Sequence, residues 1–357
     1  MAESSIATTV ASSKRPREDD IQAGTTTQAK KRRNAAVELV RDEDFWYEDG
    51  TIILVARNVQ FRVYRGVLAD HSSVFANMFS FSTQPTSPPP NAAPADCPVV
   101  HLDDSPEDLR HILRALLPKK SAFVELEGPT FYEISAYVRL GNKYQIDALL
   151  NHSLSYLKRC FPTDFDARQE WLSDNYGQVP VEWGDRDAMV FAIGVVNLSR
   201  LAQVDTILPS ALAVCCCLTA KQLVAGFNRE DGSPERLSEE DLIRCIAGMR
   251  QLTYEASAAV VAAFARFSPR ACKAGTACQN AIQELLRDYA EEAPYFPVDN
   301  PFRDWEGWIT EYWKESVCHE CRVEVRERFR AQQRKMWARL PQIFDLTVDG
   351  WPREEED

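Results

Sequence analysis

Several things are missing from this 357-residue chain, and each absence removes a class of function. There is no run of about 18 apolar residues, the length a helix needs to cross a bilayer. The opening stretch SSIATTVASS lacks the apolar centre of a secretory leader, so a cytosolic or nuclear chain is expected. In such a compartment the ten cysteines are expected to be free thiols or metal ligands rather than disulfides. Glycine is sparse at 14 residues, and no glycine-rich phosphate loop, G-x-S-x-G or H-E-x-x-H occurs. With five histidines and scattered carboxylates, no acid–base or nucleophilic arrangement stands out. A net charge of −12 argues against direct nucleic-acid binding by the folded part, because phosphate attraction needs clustered cations. No repeat of about 34 or 40 residues recurs, which excludes kelch, ankyrin and tetratricopeptide arrays.

What is present divides the chain unevenly. The apolar fraction of 45% is enough for a sizeable core, and the length suits two domains plus tails. Residues 1–40 read as a tail: the first 36 hold no aromatic residue and cannot bury enough surface to order themselves. Two basic clusters stand in it, one beginning Lys14-Arg15 and the other Lys30-Lys31-Arg32-Arg33, joined by a polar linker. Paired clusters of this kind resemble a bipartite nuclear import signal, read by the acidic grooves of an import receptor. A solvated basic tail is the plainer alternative, and it leaves the chain in the cytoplasm.

Beyond the tail, Ile52-Ile53-Leu54-Val55 and Phe61-Arg62-Val63-Tyr64 flank Arg57-Asn58-Val59-Gln60 and predict a strand pair. Leu68, Val74, Phe75, Met78 and Phe79 then recur at helical spacing. Residues 80–97 form a proline-rich exposed insertion, and Val99 to Leu102 resume as a strand. Ser105-Pro106-Glu107-Asp108 carries a capping signal with proline at the first helical position, and Thr130 to Glu133 repeats it for a helix toward Tyr144.

These residues resemble the BTB/POZ domain. Asp49, Phe61, Val63, Arg65, Leu68, Ser72 or Ser73, Val74, Phe75, Met78 and Phe79 fill the family's first motif. Leu140-Gly141-Asn142-Lys143-Tyr144-Gln145-Ile146 fills the pattern of its closing helical hairpin. The resemblance implies a BTB/POZ domain over 41–160, a small sheet capped by helices, acting as a protein-interaction module with no chemistry of its own. In it Phe61, Leu68, Val74, Phe75, Met78, Phe79 and Tyr144 would form the core or partner surface. Asp49 and Arg65 match a charged pocket at the family's dimer interface, or else a structural ion pair fixing the strand ends. Self-association is a property of the family, although only Asn34 to Arg41 could supply an exchanged N-terminal element. The layout is also similar to BTB proteins of mushroom-forming fungi, through Phe45-Trp46 to Leu54 and the terminal Trp337, Leu340, Pro341, Phe344 and Leu346. Cullin-recruiting members carry a hydrophobic-x-Glu shortly after the Met-Phe pair. Here Thr83 and Pro85 stand in those places, which weakens a cullin-type ubiquitin-ligase adaptor as the alternative role.

From 161 to 350 the pattern is helical, with helices expected over Arg186–Leu201, Ile207–Cys217, Glu239–Phe267, Ala277–Glu291 and Trp305 into Trp337. Strand signals are nearly absent, and residues 351–357 form an acidic tail. The fold class is therefore α+β, a BTB/POZ domain followed by an all-α C-terminal domain. Two cysteine pairs remain. Cys318 and Cys321 form C-x2-C, and Cys272 with Cys278 forms C-x5-C. Four thiolates would suit a structural zinc. A thiol redox pair and buried small apolar residues are the other readings. Cys215-Cys216-Cys217 lies in an apolar helix, where neighbours point apart and cannot chelate together.

Overall fold

The computed structural model describes residues 38–81, 97–117, 129–174, 188–265, 272, 274–291, 300–302 and 316–353. Both basic clusters and most of the proline-rich insertion, including Thr83 and Pro85, lie outside them.

The first strands form because a continuous apolar run, Ile52 to Ala56, and an alternating one, Val59 to Val63, flank a tight turn. β2 (Ile52–Ala56) and β3 (Val59–Val63) pair antiparallel, with Leu54 opposite Phe61. Only Arg57 and Asn58 connect them, a shorter loop than the four residues expected. Arg57 takes φ 52°, the left-handed conformation that two-residue hairpin turns use. β1 (Val40–Trp46) adds parallel to β3, and β4 (Val99–Leu102) adds parallel to β2, giving the order β1-β3-β2-β4. β1 was not expected from sequence. It places part of the Asn34 to Arg41 stretch on the chain's own sheet.

The segment of helical spacing after β3 is two helices rather than one, α1 (Arg65–His71) and α2 (Ser73–Phe81). Ser72 breaks the run with extended backbone (φ −142°). Its Oγ accepts from Phe75 N at 3.0 Å and donates to the Tyr144 carbonyl at 2.5 Å. α3 (Pro106–Leu116) starts on Ser105, whose side chain accepts from Asp108 N. The Asp108 carboxylate pairs with Arg229. α4 (Phe131–Tyr144) opens on a full Thr130–Glu133 capping box and ends with Gln145 in the left-handed conformation. α5 (Asp147–Cys160) returns along it. Gly141 lets the two approach, since a Cβ there would lie 3.2 Å from Leu150 Cβ.

α4 is apolar on two sides, which marks a helix buried between layers. Tyr137, Leu140 and Tyr144 enter the core under the sheet, with Phe61, Leu68, Phe75 and Phe79. Phe131, Ile134 and Val138 enter a second core built from the helices that follow. Those are α6 (Phe165–Asp174), α7 (Phe191–Ala202), α8 (Leu208–Cys215), α9 (Ala220–Ala225) and α10 (Glu239–Phe264), then, beyond α11 (Thr276–Glu291), which packs into a third and smaller core, α12 (His319–Ala338) and α13 (Leu340–Ile343). Leu39–Asp357 accordingly form one compact unit, and residue 160 is no break in packing. A short hairpin, β5 (Phe227–Asn228) and β6 (Pro234–Glu235), interrupts a region expected to be wholly helical. Trp351, assigned from sequence to the acidic tail, is 7% exposed and stacks on Trp337.

Candidate functional site: interaction domain and four-cysteine cluster

The residues singled out by sequence separate into core and surface. Phe61, Leu68, Phe75, Phe79 and Tyr144 are buried, while Val74 and Met78 pack partly buried beside them. The five buried side chains belong to the core under the sheet. Phe75 stacks on Tyr144 with ring centroids 4.2 Å apart and on Phe79 at 5.5 Å. The Tyr144 hydroxyl donates to Asp104, which Lys143 Nζ also meets at 2.6 Å. Burial, then the Asp104 carboxylate, pushes that phenol far above its usual value, so it acts as a hydrogen-bond donor throughout the working pH range.

Asp49 and Arg65 do not form the expected ion pair. Asp49 is exposed and accepts from the Tyr64 hydroxyl at 2.8 Å, whereas the Arg65 backbone N–H donates to Thr51 Oγ1 at 2.9 Å. The strand ends are tied by hydroxyl groups on either side of the two charges. At the two sheet edges, Val40 on β1 and Val99 on β4 stand more than half exposed. α10 carries exposed Ile243, Ile246, Tyr254 and Val261 along one face.

A set of charges foreseen by no sequence pattern joins the β2–β3 turn, α3 and α4 to the β5–β6 hairpin. Arg57 Nη2 meets Asp231 at 2.5 Å, His111 Nε2 meets Glu230 at 2.7 Å, and Arg229 pairs with Asp108. Arg139 Nη2 donates to both carboxylate oxygens of Glu235 at 2.8 Å, and Asn197 Nδ2 donates to one of them. Burial raises the Asp231 carboxyl, but hydrogen bonds from Ser233 and the Arg57 guanidinium outweigh it and hold the group at about 2. For Asp108, burial wins over the neighbouring Arg229 and the carboxyl is pushed up.

The two cysteine pairs meet in space. Cys272 precedes α11 and Cys278 lies in its first turn; Cys318 caps α12 and Cys321 lies in its first turn. All four sulfurs are within 4.8 Å of one another. Cys278 and Cys321 are buried against Ala263, Phe264, Ile282, Val325 and Phe329, a small core apart from the two larger ones. Of the cysteine triplet, Cys215 is fully buried beside Cys245 in the second core, and Cys216 and Cys217 are partly so.

Compared with known proteins, residues 47–160 match the family model described as BTB/POZ domain. The match spans β2 to β4 and α1 to α5, and β1 lies just before it. The chain therefore carries a BTB/POZ domain, a protein–protein interaction module that is generally non-enzymatic, followed by a helical C-terminal region. Nothing matches it among curated proteins, and nothing among solved structures.

Proposed function

We propose that this protein is a non-enzymatic interaction subunit that binds partner proteins, and further copies of itself, through its BTB/POZ domain and acts in the nucleus. The observation that carries the reading is the BTB/POZ match at residues 47–160, on a domain whose motif residues form a complete core. The hairpin clasp supports a second element of it. Because Arg57, Asp108, His111 and Arg139 hold residues 229–235, the helical region is a fixed extension of the domain and not a tethered neighbour. Nuclear action rests on the paired clusters at Lys14-Arg15 and Lys30 to Arg33 as import-receptor ligands.

The test uses the full chain in both arms. Fluorescence localisation should show nuclear signal that is lost when Lys30, Lys31, Arg32 and Arg33 are all changed to Ala. A wild-type chain that stays cytoplasmic ends the nuclear part of the proposal. Sedimentation equilibrium at micromolar concentrations should give a dimer or larger species, and a strictly monomeric chain removes self-association. Stoichiometric retention of a cullin-type scaffold would replace this reading with the ligase-adaptor one.

A further inference from the structure

We propose that Cys272, Cys278, Cys318 and Cys321 together bind one structural zinc ion, which fastens α11 to the start of α12.

The first support is distance. Zinc–thiolate bonds of about 2.3 Å at tetrahedral angles place neighbouring sulfurs about 3.8 Å apart. The cysteine sulfurs all lie within 4.8 Å of each other, and Cys318 Sγ is 4.0 Å from Cys272 Sγ. A disulfide needs about 2.05 Å, and all four residues are free thiols. Closing from the observed spread to a tetrahedron takes shifts of a few tenths of an ångström to about 1 Å, within reach of side-chain torsions.

A second and independent support is the backbone around the sulfurs. Cys318 N–H donates to Cys278 Sγ at 3.3 Å. A backbone amide aimed at a cysteine sulfur stabilises a thiolate far more than a neutral thiol. Gly275, between Cys272 and α11, takes φ 52°, in the left-handed region that glycine enters without penalty. Three of the sulfurs have a further source of positive potential. Cys278 lies in the first turn of α11, and Cys318 and Cys321 lie at the cap and in the first turn of α12, where unsatisfied N–H groups and the helix dipole favour negative charge. Four thiolates carry two charges more than a zinc ion neutralises, and these two helix starts face that excess.

Chemistry selects the metal and its role. Four soft sulfur ligands in a tetrahedral set suit zinc, and four protein ligands leave no open position for water or substrate, so the site is structural. Its place in the fold agrees. Cys278 and Cys321 sit in, and Cys272 and Cys318 pack against, the small core of Ala259, Val260, Phe264, Ile282, Val325 and Phe329, which joins α11 to α10 and α12. Binding would couple directly to the folding of this corner.

The full chain, purified without added metal or chelator, should carry about one equivalent of zinc by elemental analysis. Replacing it with Co²⁺ should give the visible bands of a tetrahedral thiolate complex, a readout that needs no substitution and survives a variant that fails to fold. Cys278→Ser and Cys318→Ser should each lose zinc and weaken the cobalt bands, while Cys245→Ala, in the other thiol cluster, should keep the full equivalent. Chelation should speed hydrogen exchange in α11 and the first turns of α12 and leave the BTB/POZ sheet protected. Four freely titratable thiols with no zinc and no cobalt spectrum would overturn the proposal. So would iron in zinc's place, or zinc retained in full by both serine variants.

Discussion

Arg139 on α4 and Glu235 on β6 form a part-buried ion pair across 96 residues of sequence, with one guanidinium nitrogen 2.8 Å from each carboxylate oxygen. Glu235 is 7% exposed, and Asn197 and the more distant Arg229 share it. Removing Glu235 leaves Arg139, which is only 23% exposed, without its counter-ion, and that costs more than the pair itself contributes. Glu235→Ala should lower the unfolding free energy by about 3 kcal/mol in urea titration. Arg139→Met with Glu235→Leu together should recover part of that loss. A Glu235→Ala chain as stable as wild type would show that the clasp does not hold the hairpin.

The Asp231 contact makes a pH-dependent contribution. Its carboxyl stays ionised down to about 2 in the folded chain, below the ordinary value near 3.9. A depressed carboxylate stabilises the fold at pH above the ordinary value, and this is lost as pH falls from about 4 toward 2. Thermal unfolding of wild type and Asp231→Asn should differ at pH 7 and converge on acidification across that interval. A constant difference down to pH 2 would remove the assigned cause.

Gly194 of α7 faces Phe131 of α4, and a Cβ at this position would collide with that ring. Phe131 is held in turn by Phe191, stacked at 4.8 Å, and by Phe227 edge-on at 5.8 Å, so it cannot swing aside freely. Gly194→Ala should destabilise the chain by about 1–3 kcal/mol through overpacking. Adding Phe131→Leu should restore some of it, although alanine is otherwise the better helix former.

Tyr144 separates a polar from an apolar contribution. Tyr144→Phe keeps the stack on Phe75 and drops the bond to Asp104, for a loss of about 1 kcal/mol. Tyr144→Ala also empties a site 1% exposed, and should cost about 3–5 kcal/mol. Equal losses for the two would mean that the ring contributes nothing beyond its hydroxyl.

The sequence by itself determined the features that depend on neighbours along the chain. The Thr130–Glu133 capping box, the Ser105 cap with Pro106 behind it and the pairing of Ile52–Ala56 with Val59–Val63 follow from residues a few positions apart. The BTB/POZ motifs were legible for a related reason: Phe61, Leu68, Phe75, Phe79 and Tyr144 are large apolar residues at spacings that one small core requires. Helix periodicity shows that a face is buried, but not against what. Only the tertiary structure decided that α4 serves two cores, that Ser72 divides α1 from α2, and that Trp351 closes on Trp337. It also decided that Asp49 answers Tyr64 instead of Arg65, because a pairing of charges depends on side-chain direction at strand ends. The cysteine cluster lies between the two cases. The pair spacings were visible, but a C-x5-C and a C-x2-C converge only because two helix starts, 40 residues apart at Cys278 and Cys318, are packed against the end of α10.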